Sequence, residues 1–153
     1  MSRRTSPAKE FLRKIRTEQK EYQALVDSLE TIRLSLMPSG IRYDKDKIQV
    51  SPVDIMPEKI AQLCETEDAI VEHMRNLDER RARAMTVTRQ IDDPACRMVI
   101  ELYYLTVGND GLLRKWEEVA DAMGYTQDHV LRDIHPKALR EFERIVKENE
   151  RSQ

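Results

Sequence analysis

The 153-residue chain holds little of what β-sheets are made from: four glycines and, with two Phe, five Tyr and one Trp, only 5% aromatic residues. Sandwiches and barrels draw on aromatic strands joined by glycine-rich turns, so this scarcity argues against both. Cysteine is almost absent as well. Cys64 and Cys96 have neither the paired spacing of a metal site nor the density of a disulfide framework, and they read as reduced thiols. No stretch approaches the ~20 apolar residues that cross a bilayer, and no apolar leader opens the chain. The expectation is a cytoplasmic protein with no membrane partner.

What the chain does have is charge. Asp, Glu, Lys and Arg make up 35% of it, the mean hydropathy is −0.66, and Leu, Ile, Glu, Lys and Arg dominate. That composition suits long helices with a high ratio of surface to core. The net charge of −2 conceals an uneven distribution. Residues 1–20 hold seven basic groups (Arg3, Arg4, Lys9, Arg13, Lys14, Arg16 and Lys20) against Glu10 and Glu18. Residues 21–79 are acidic, and a second basic cluster follows at Arg80, Arg81, Arg83 and Arg89. Either cluster alone is equally well read as a solvated helical surface.

Apolar periodicity places two long helices. Ser6 and Pro7 suit an N-cap and a first helical residue. From there Ala8, Ile15, Tyr22, Leu29 and Leu36 recur at heptad spacing, with Phe11, Leu25 and Ile32 in the second register and Glu18 as the break. A second seam begins at Pro57 and runs Ile60, Leu63, Ile70, Met74, Leu77, Ala84 and Ile91, interrupted by Glu67, Arg81 and Thr88. Matching seams of similar length predict an antiparallel, coiled-coil-like hairpin over residues 1–91, one that can also serve self-association as a homodimer or higher oligomer. Residues 37–56 are long for a simple connection. Ile41, Tyr43, Ile48 and Val50 around Asp44–Lys47 fit a small β-hairpin or an apolar loop packed on the hairpin end.

The remaining 92–153 reads as a separate helical domain. Asp93 and Pro94 open a third helix through about Leu105, with Met98, Val99, Leu102 and Tyr103 as its apolar face. A turn-rich loop at 106–113 precedes a helix over about 115–123 and another from about Thr126 to Asn149, interrupted at Pro136.

Residues 116–142 carry the functional information. A helix-turn-helix needs a small residue where its helices cross, a reversal through a left-handed residue four positions later, an N-cap and a buried branched residue. Ala120, Gly124, Thr126 and Val130 occupy those offsets, with Val119 and Met123 placed to pack on Val130. The alternative is a plain helical corner without DNA binding. Trp116-Glu117-Glu118-Val119-Ala120, then Met123-Gly124-Tyr125-Thr126 and Lys137-Ala138-Leu139-Arg140, resembles the fourth region of bacterial sigma factors, and the similarity extends upstream to Asp93-Pro94 and Arg97–Tyr104. Over nearly its whole length the chain resembles small phage and prophage ArpU-like transcriptional regulators, whose His-x-basic-Ala-Leu ending matches His135–Leu139. That resemblance implies an all-α protein, not an enzyme, that binds double-stranded DNA and contacts RNA polymerase.

In helix-turn-helix geometry the base-reading positions are Gln127, Asp128, His129, Leu131 and Arg132. Thr126 with its helix start suits a phosphate, and Lys115, Lys137 and Arg140 add backbone neutralisation. This face is less basic than that of sigma factors, so weak half-site binding strengthened by dimerisation or a partner is expected. The loop 106–115 is longer than the family pattern, and one extra residue separates Val130 from His135. Proline lacks an N–H and clashes with the preceding turn, so Pro136 is expected to kink or restart the helix, leaving a recognition helix of about ten residues.

Other chemistry finds no support. His129 and His135 do not share a helical face and lack a third ligand, no cofactor motif is present, and Glu117 and Glu118 read as first-turn residues favoured by the helix dipole. Two rivals remain: a small-terminase-like DNA-packaging protein, and an interaction adaptor that has lost DNA binding.

Overall fold

A computed structural model describes residues 6–36 and 56–152, and among the described residues every regular element is a helix. Their order is α1 (Pro7–Leu36), α2 (Met56–Thr88), α3 (Pro94–Ile100) continuing into a π-turn (Glu101–Leu105), α4 (Trp116–Met123), α5 (Gln127–His129), a second π-turn (Val130–Ile134) and α6 (His135–Arg151). The chain divides into two compact units, one of residues 1–20 with 77–153 and the other of residues 21–76. The expected hairpin-or-loop segment lies almost wholly outside the described residues.

In the first unit the start of α1 is fixed by Ser6, whose Oγ accepts from the Lys9 N–H at 3.2 Å. Ala8, Leu12, Ile15 and Gln19 are buried at three- and four-residue spacing. Phe11 stacks on Phe142 of α6 with ring centroids 6.4 Å apart. Leu77, Ala84 and Thr88 are the buried face of the second half of α2, and the Thr88 hydroxyl satisfies itself on the Ala84 carbonyl at 2.7 Å. The basic cluster of the sequence is not a solvated surface throughout. Arg80 pairs with Glu18 and Arg81 bonds to Gln19, so the polar breaks Glu18 and Arg81 each find a partner on the facing helix, side by side.

Asp93 caps α3 as expected, accepting from the Ala95 N–H at 2.9 Å with Pro94 in the first turn. Cys96, Val99, Ile100, Tyr104 and Leu105 form its buried side. Met98, expected on that side, is 41% exposed. It stands about 100° around the helix from Val99 and about 200° from Cys96, off the buried side, which the π-turn beyond it carries on to Tyr104 and Leu105. α6 packs against α3, and α4 packs against α3 and α5. Val119, Val130, Ala138, Phe142 and Ile145 complete the core.

In the second unit α1 and α2 touch through Tyr22 Oη and Met74 Sδ at 3.9 Å and through Arg33 and Glu67 at 3.5 Å. Ile32 is buried and Leu63 and Ile70 are half-buried, but Ile60 and Met74, placed in the α2 seam from their spacing, are exposed. Both positions flank the stripe that carries Leu63, Ile70 and Leu77, so they stay open to solvent, Met74 while still touching Tyr22. No helix of the described residues is long and apolar enough to cross a membrane.

Candidate nucleic-acid interface

α4 is amphipathic over its eight residues: Val119 and Ala120 are buried, while Glu117, Glu118 and Asp121 face solvent. It ends at Gly124, whose φ of 75° lies in the left-handed region that a glycine enters without a Cβ penalty. The Tyr125 N–H bonds the Ala120 carbonyl at 3.0 Å and the Gly124 N–H bonds that of Asp121 at 3.2 Å, the paired bonds of a Schellman stop. The next helix begins two residues later. Thr126 is extended (φ −74°, ψ 150°), and its hydroxyl accepts from the His129 N–H at 3.2 Å. Val130 is fully buried, as is Val119. Small residue, left-handed glycine, threonine cap and buried valine thus stand where the sequence placed them.

The path beyond Val130 differs from expectation. Pro136 neither ends nor restarts the helix. His129, Val130, Ile134 and His135 all keep right-handed helical dihedrals, and the His135 N–H reaches back five residues to the Val130 carbonyl. A π-turn takes in one residue more than an α-turn, and the backbone passes from Val130 to His135 in this way without a break. Pro136 follows directly on this wider turn, where the regular i to i−4 ladder is already interrupted. The second helix of the corner therefore runs on into α6 instead of stopping after about ten residues.

Gln127, Asp128, His129 and Arg132 are exposed on this helix, as is Tyr125 in the turn before it. Leu131 is half-buried, so it serves the corner's packing as much as its surface: with Val130 and Ile134 in the core, the π-turn rolls position 131 partly inward. The polar side chains pair along the helix. Asp128 Oδ1 meets Arg132 Nε at 3.0 Å, and Asp133 Oδ2 meets His129 Nδ1 at 2.8 Å. The His129 ring also packs edge-on against Tyr125, with centroids 5.2 Å apart. Arg140 and Lys115 are exposed. Lys137, also exposed, has its Nζ 3.0 Å from Asp93 Oδ2 and ties α6 to the cap of α3. That bond, with the Ala95 N–H, holds the Asp93 carboxyl below its ordinary range and raises the Lys137 ammonium.

Behind the corner lies an aromatic and cationic cluster that spacing in the sequence did not reveal. Trp116 stacks on Tyr103 with centroids 3.7 Å apart and meets His135 edge-on at 4.6 Å. His135 is 7% exposed, with Nε2 2.7 Å from the Tyr104 hydroxyl. Burial lowers the His135 pKa to about 4, with Lys9 and Arg13 adding to the effect, and burial raises that of Tyr104, so both groups are neutral near pH 7. On the other face of Tyr103 sits the Arg16 guanidinium, 3.8 Å above the ring. It donates to the carbonyls of Tyr103 at 2.6 Å and Arg114 at 2.7 Å. Arg114 in turn donates to the Leu102 carbonyl at 3.1 Å. Two arginines thus satisfy carbonyls that the end of the α3 path leaves open. A pattern search for a corner motif passes over Arg16 because its partners stand 87 and 98 residues away.

The unit that contains the corner holds 20 Lys and Arg against 17 Asp and Glu, whereas residues 21–76 hold 6 against 11. Among the described residues no group of His, Cys, Asp and Glu could hold a metal ion, and Cys64 and Cys96 are free thiols. Burial, with Asp93 adjacent, pushes the Cys96 thiol up to about 11. No protein-family model, curated protein or solved structure matches the chain.

Proposed function

We propose that this protein is a DNA-binding transcriptional regulator of the sigma-region-four type, belonging to a phage or other mobile element, and not an enzyme. Its architecture is an antiparallel helical hairpin followed by a helix-turn-helix. One observation carries the reading: a left-handed Gly124 between α4 and a Thr126-capped helix whose inner residue, Val130, is buried while Gln127, Asp128, His129 and Arg132 point outward. A corner needs the first three features for packing alone. It does not need four polar side chains gathered on the outer face of the second helix, where a major groove would be read. The excess of basic residues in this unit supports the same reading, because phosphate neutralisation supplies most of the sequence-independent affinity.

The polar face is half-neutralised by its own carboxylates, which favours modest affinity and a need for help. The hairpin offers that help through self-association or contact with RNA polymerase. Its antiparallel order is supported by the pairs Tyr22–Met74 and Arg33–Glu67, whose numbers rise on one helix as they fall on the other.

Fluorescence anisotropy with a labelled random duplex at several salt concentrations tests the function. Binding is expected at low salt, falling linearly in log–log form as salt rises, with the slope reduced by about one in Arg140→Ala. Absence of binding at the lowest salt removes DNA from the reading and leaves the interaction adaptor. Light scattering of the same sample separates a monomer or dimer from the large ring of a packaging protein.

A further inference from the structure

The first half of α1 carries a row of cations along one flank. At ~100° of rotation per residue, the buried Ala8, Leu12, Ile15 and Gln19 fall within an arc of about 60°. Lys9, Arg13, Arg16 and Lys20 fill a second arc of about 60°, roughly 100° further round. Glu10, Glu18 and Lys14 lie outside it. Arg16 turns inward over Tyr103 and donates to the Arg114 carbonyl at 2.7 Å, one residue before the exposed Lys115 and the start of α4. On the other flank of α1, Phe11 stacks on Phe142 of α6. The helix is thus pinned on both flanks, with its cationic row beside the corner. Lys9 and Arg13 come near enough to His135, where α6 opens, for their charges to act on it.

We propose that Lys9, Arg13 and Lys20 form a phosphate-binding edge, set beside the helix-turn-helix by Arg16, that follows the backbone of double-stranded DNA. The proposal rests on the DNA-binding reading above and gives the sequence-independent part of the affinity a place outside the corner. The corner's own side chains are poorly suited to that task, because Arg132 meets Asp128, His129 meets Asp133 and Lys137 meets Asp93. Among the described residues, no ion pair takes up Lys9, Arg13 or Lys20. A helix surface that is merely solvated tends to pair its cations with carboxylates one turn away, as Arg144 does with Glu141 and Glu148. From Lys9 to Lys20 the row runs ~16 Å, over which one strand of a duplex presents about five phosphates. A single strand would be held through stacked bases, and no aromatic side chain stands in this arc.

Two neighbouring residues make the test specific. Arg13 and Lys14 are both exposed, and glutamine at either changes the net charge equally, but only Arg13 lies in the row. For a random duplex, Arg13→Gln reduces the slope of log affinity against log salt by about one, and Lys14→Gln leaves it unchanged. Joint replacement of Lys9, Arg13 and Lys20 by glutamine reduces the slope by about two to three and the affinity at low salt by on the order of tenfold or more.

The experiment is fluorescence anisotropy of the full chain and these three variants with a labelled random duplex and with a single-stranded RNA of equal length, at several salt concentrations. Melting followed by circular dichroism checks that the variants fold alike, and if the triple variant melts early the comparison of Arg13→Gln with Lys14→Gln decides. A slope on duplex DNA that falls in Arg13→Gln and in the triple variant, but not in Lys14→Gln, is the expected result. Equal slopes in Arg13→Gln and Lys14→Gln, with the wild type binding, overturn this inference alone. A change confined to the RNA overturns it too, since the row then serves another polyanion. Failure of the wild type to bind any duplex at low salt overturns the DNA-binding reading and this inference with it.

Discussion

The Tyr104 hydroxyl lies 2.7 Å from Nε2 of His135, and both groups are buried. This bond joins the π-turn that ends the α3 path to the first residue of α6, and Trp116 of α4 meets the same histidine ring. A buried histidine in this position must stay neutral. Burial against the Tyr104 and Trp116 rings favours that state, and the Lys9 and Arg13 cations of α1 add to it.

The fold should therefore weaken as the solution is acidified. In the unfolded chain His135 titrates near 6.5, and in the folded chain near 4. Above pH 6.5 it is neutral in both states, and below pH 4 it is charged in both. Between them only the unfolded chain binds the proton, so stability falls as pH drops through that window, by on the order of 3 kcal/mol in total. Urea denaturation at pH 7, 6, 5 and 4 measures this. His135→Gln, which keeps a polar partner for Tyr104, should flatten the slope between pH 6.5 and 5, and an unchanged slope would place the titration elsewhere.

Arg16 should be worth far more to the fold than a surface arginine. Its two carbonyl contacts and its stacking on Tyr103 are lost together in Arg16→Ala, with an expected cost of about 2–3 kcal/mol. Arg16→Lys cannot span both carbonyls from a planar fork and should recover less than half. Chemical denaturation of the two variants beside Arg13→Ala, an exposed neighbour on the same helix, supplies the comparison. Equal small losses in all three would mean the contacts are not formed in solution.

Gly124→Ala should cost about 1–2 kcal/mol through backbone strain alone. A Cβ at this position meets nothing within 4 Å, so no steric clash adds to the effect of the φ of 75°. Gly124→Asn should recover part of the loss, since asparagine tolerates the left-handed region. If alanine and asparagine cost the same, the turn has found another conformation.

How much of this was legible beforehand differs from element to element. The N-caps Ser6, Asp93 and Thr126, the left-handed Gly124 and the bounds of the long helices are local matters. A hydrogen bond between a side chain and a backbone two or three residues away, or the absence of a Cβ, acts the same wherever the chain goes afterwards. The outward placement of Gln127, Asp128, His129 and Arg132 was legible for a similar reason, being fixed by offset from the turn. The half-burial of Leu131 was not, because it lies within a π-turn that periodicity does not locate.

The sequence by itself thus determined that the chain is helical, where its helices start, and that residues 116–130 turn a corner of defined shape. Only the tertiary structure decided that Pro136 is harmless, that Lys137 serves Asp93, that His135 is a buried partner of Tyr104, and that Arg16 belongs with residues 87 and 98 positions away. The physical reason is the range of the forces involved. Caps, turns and periodicity follow from the backbone within a few residues, while the partner of a buried polar group is whichever group the folded chain brings within about 3 Å.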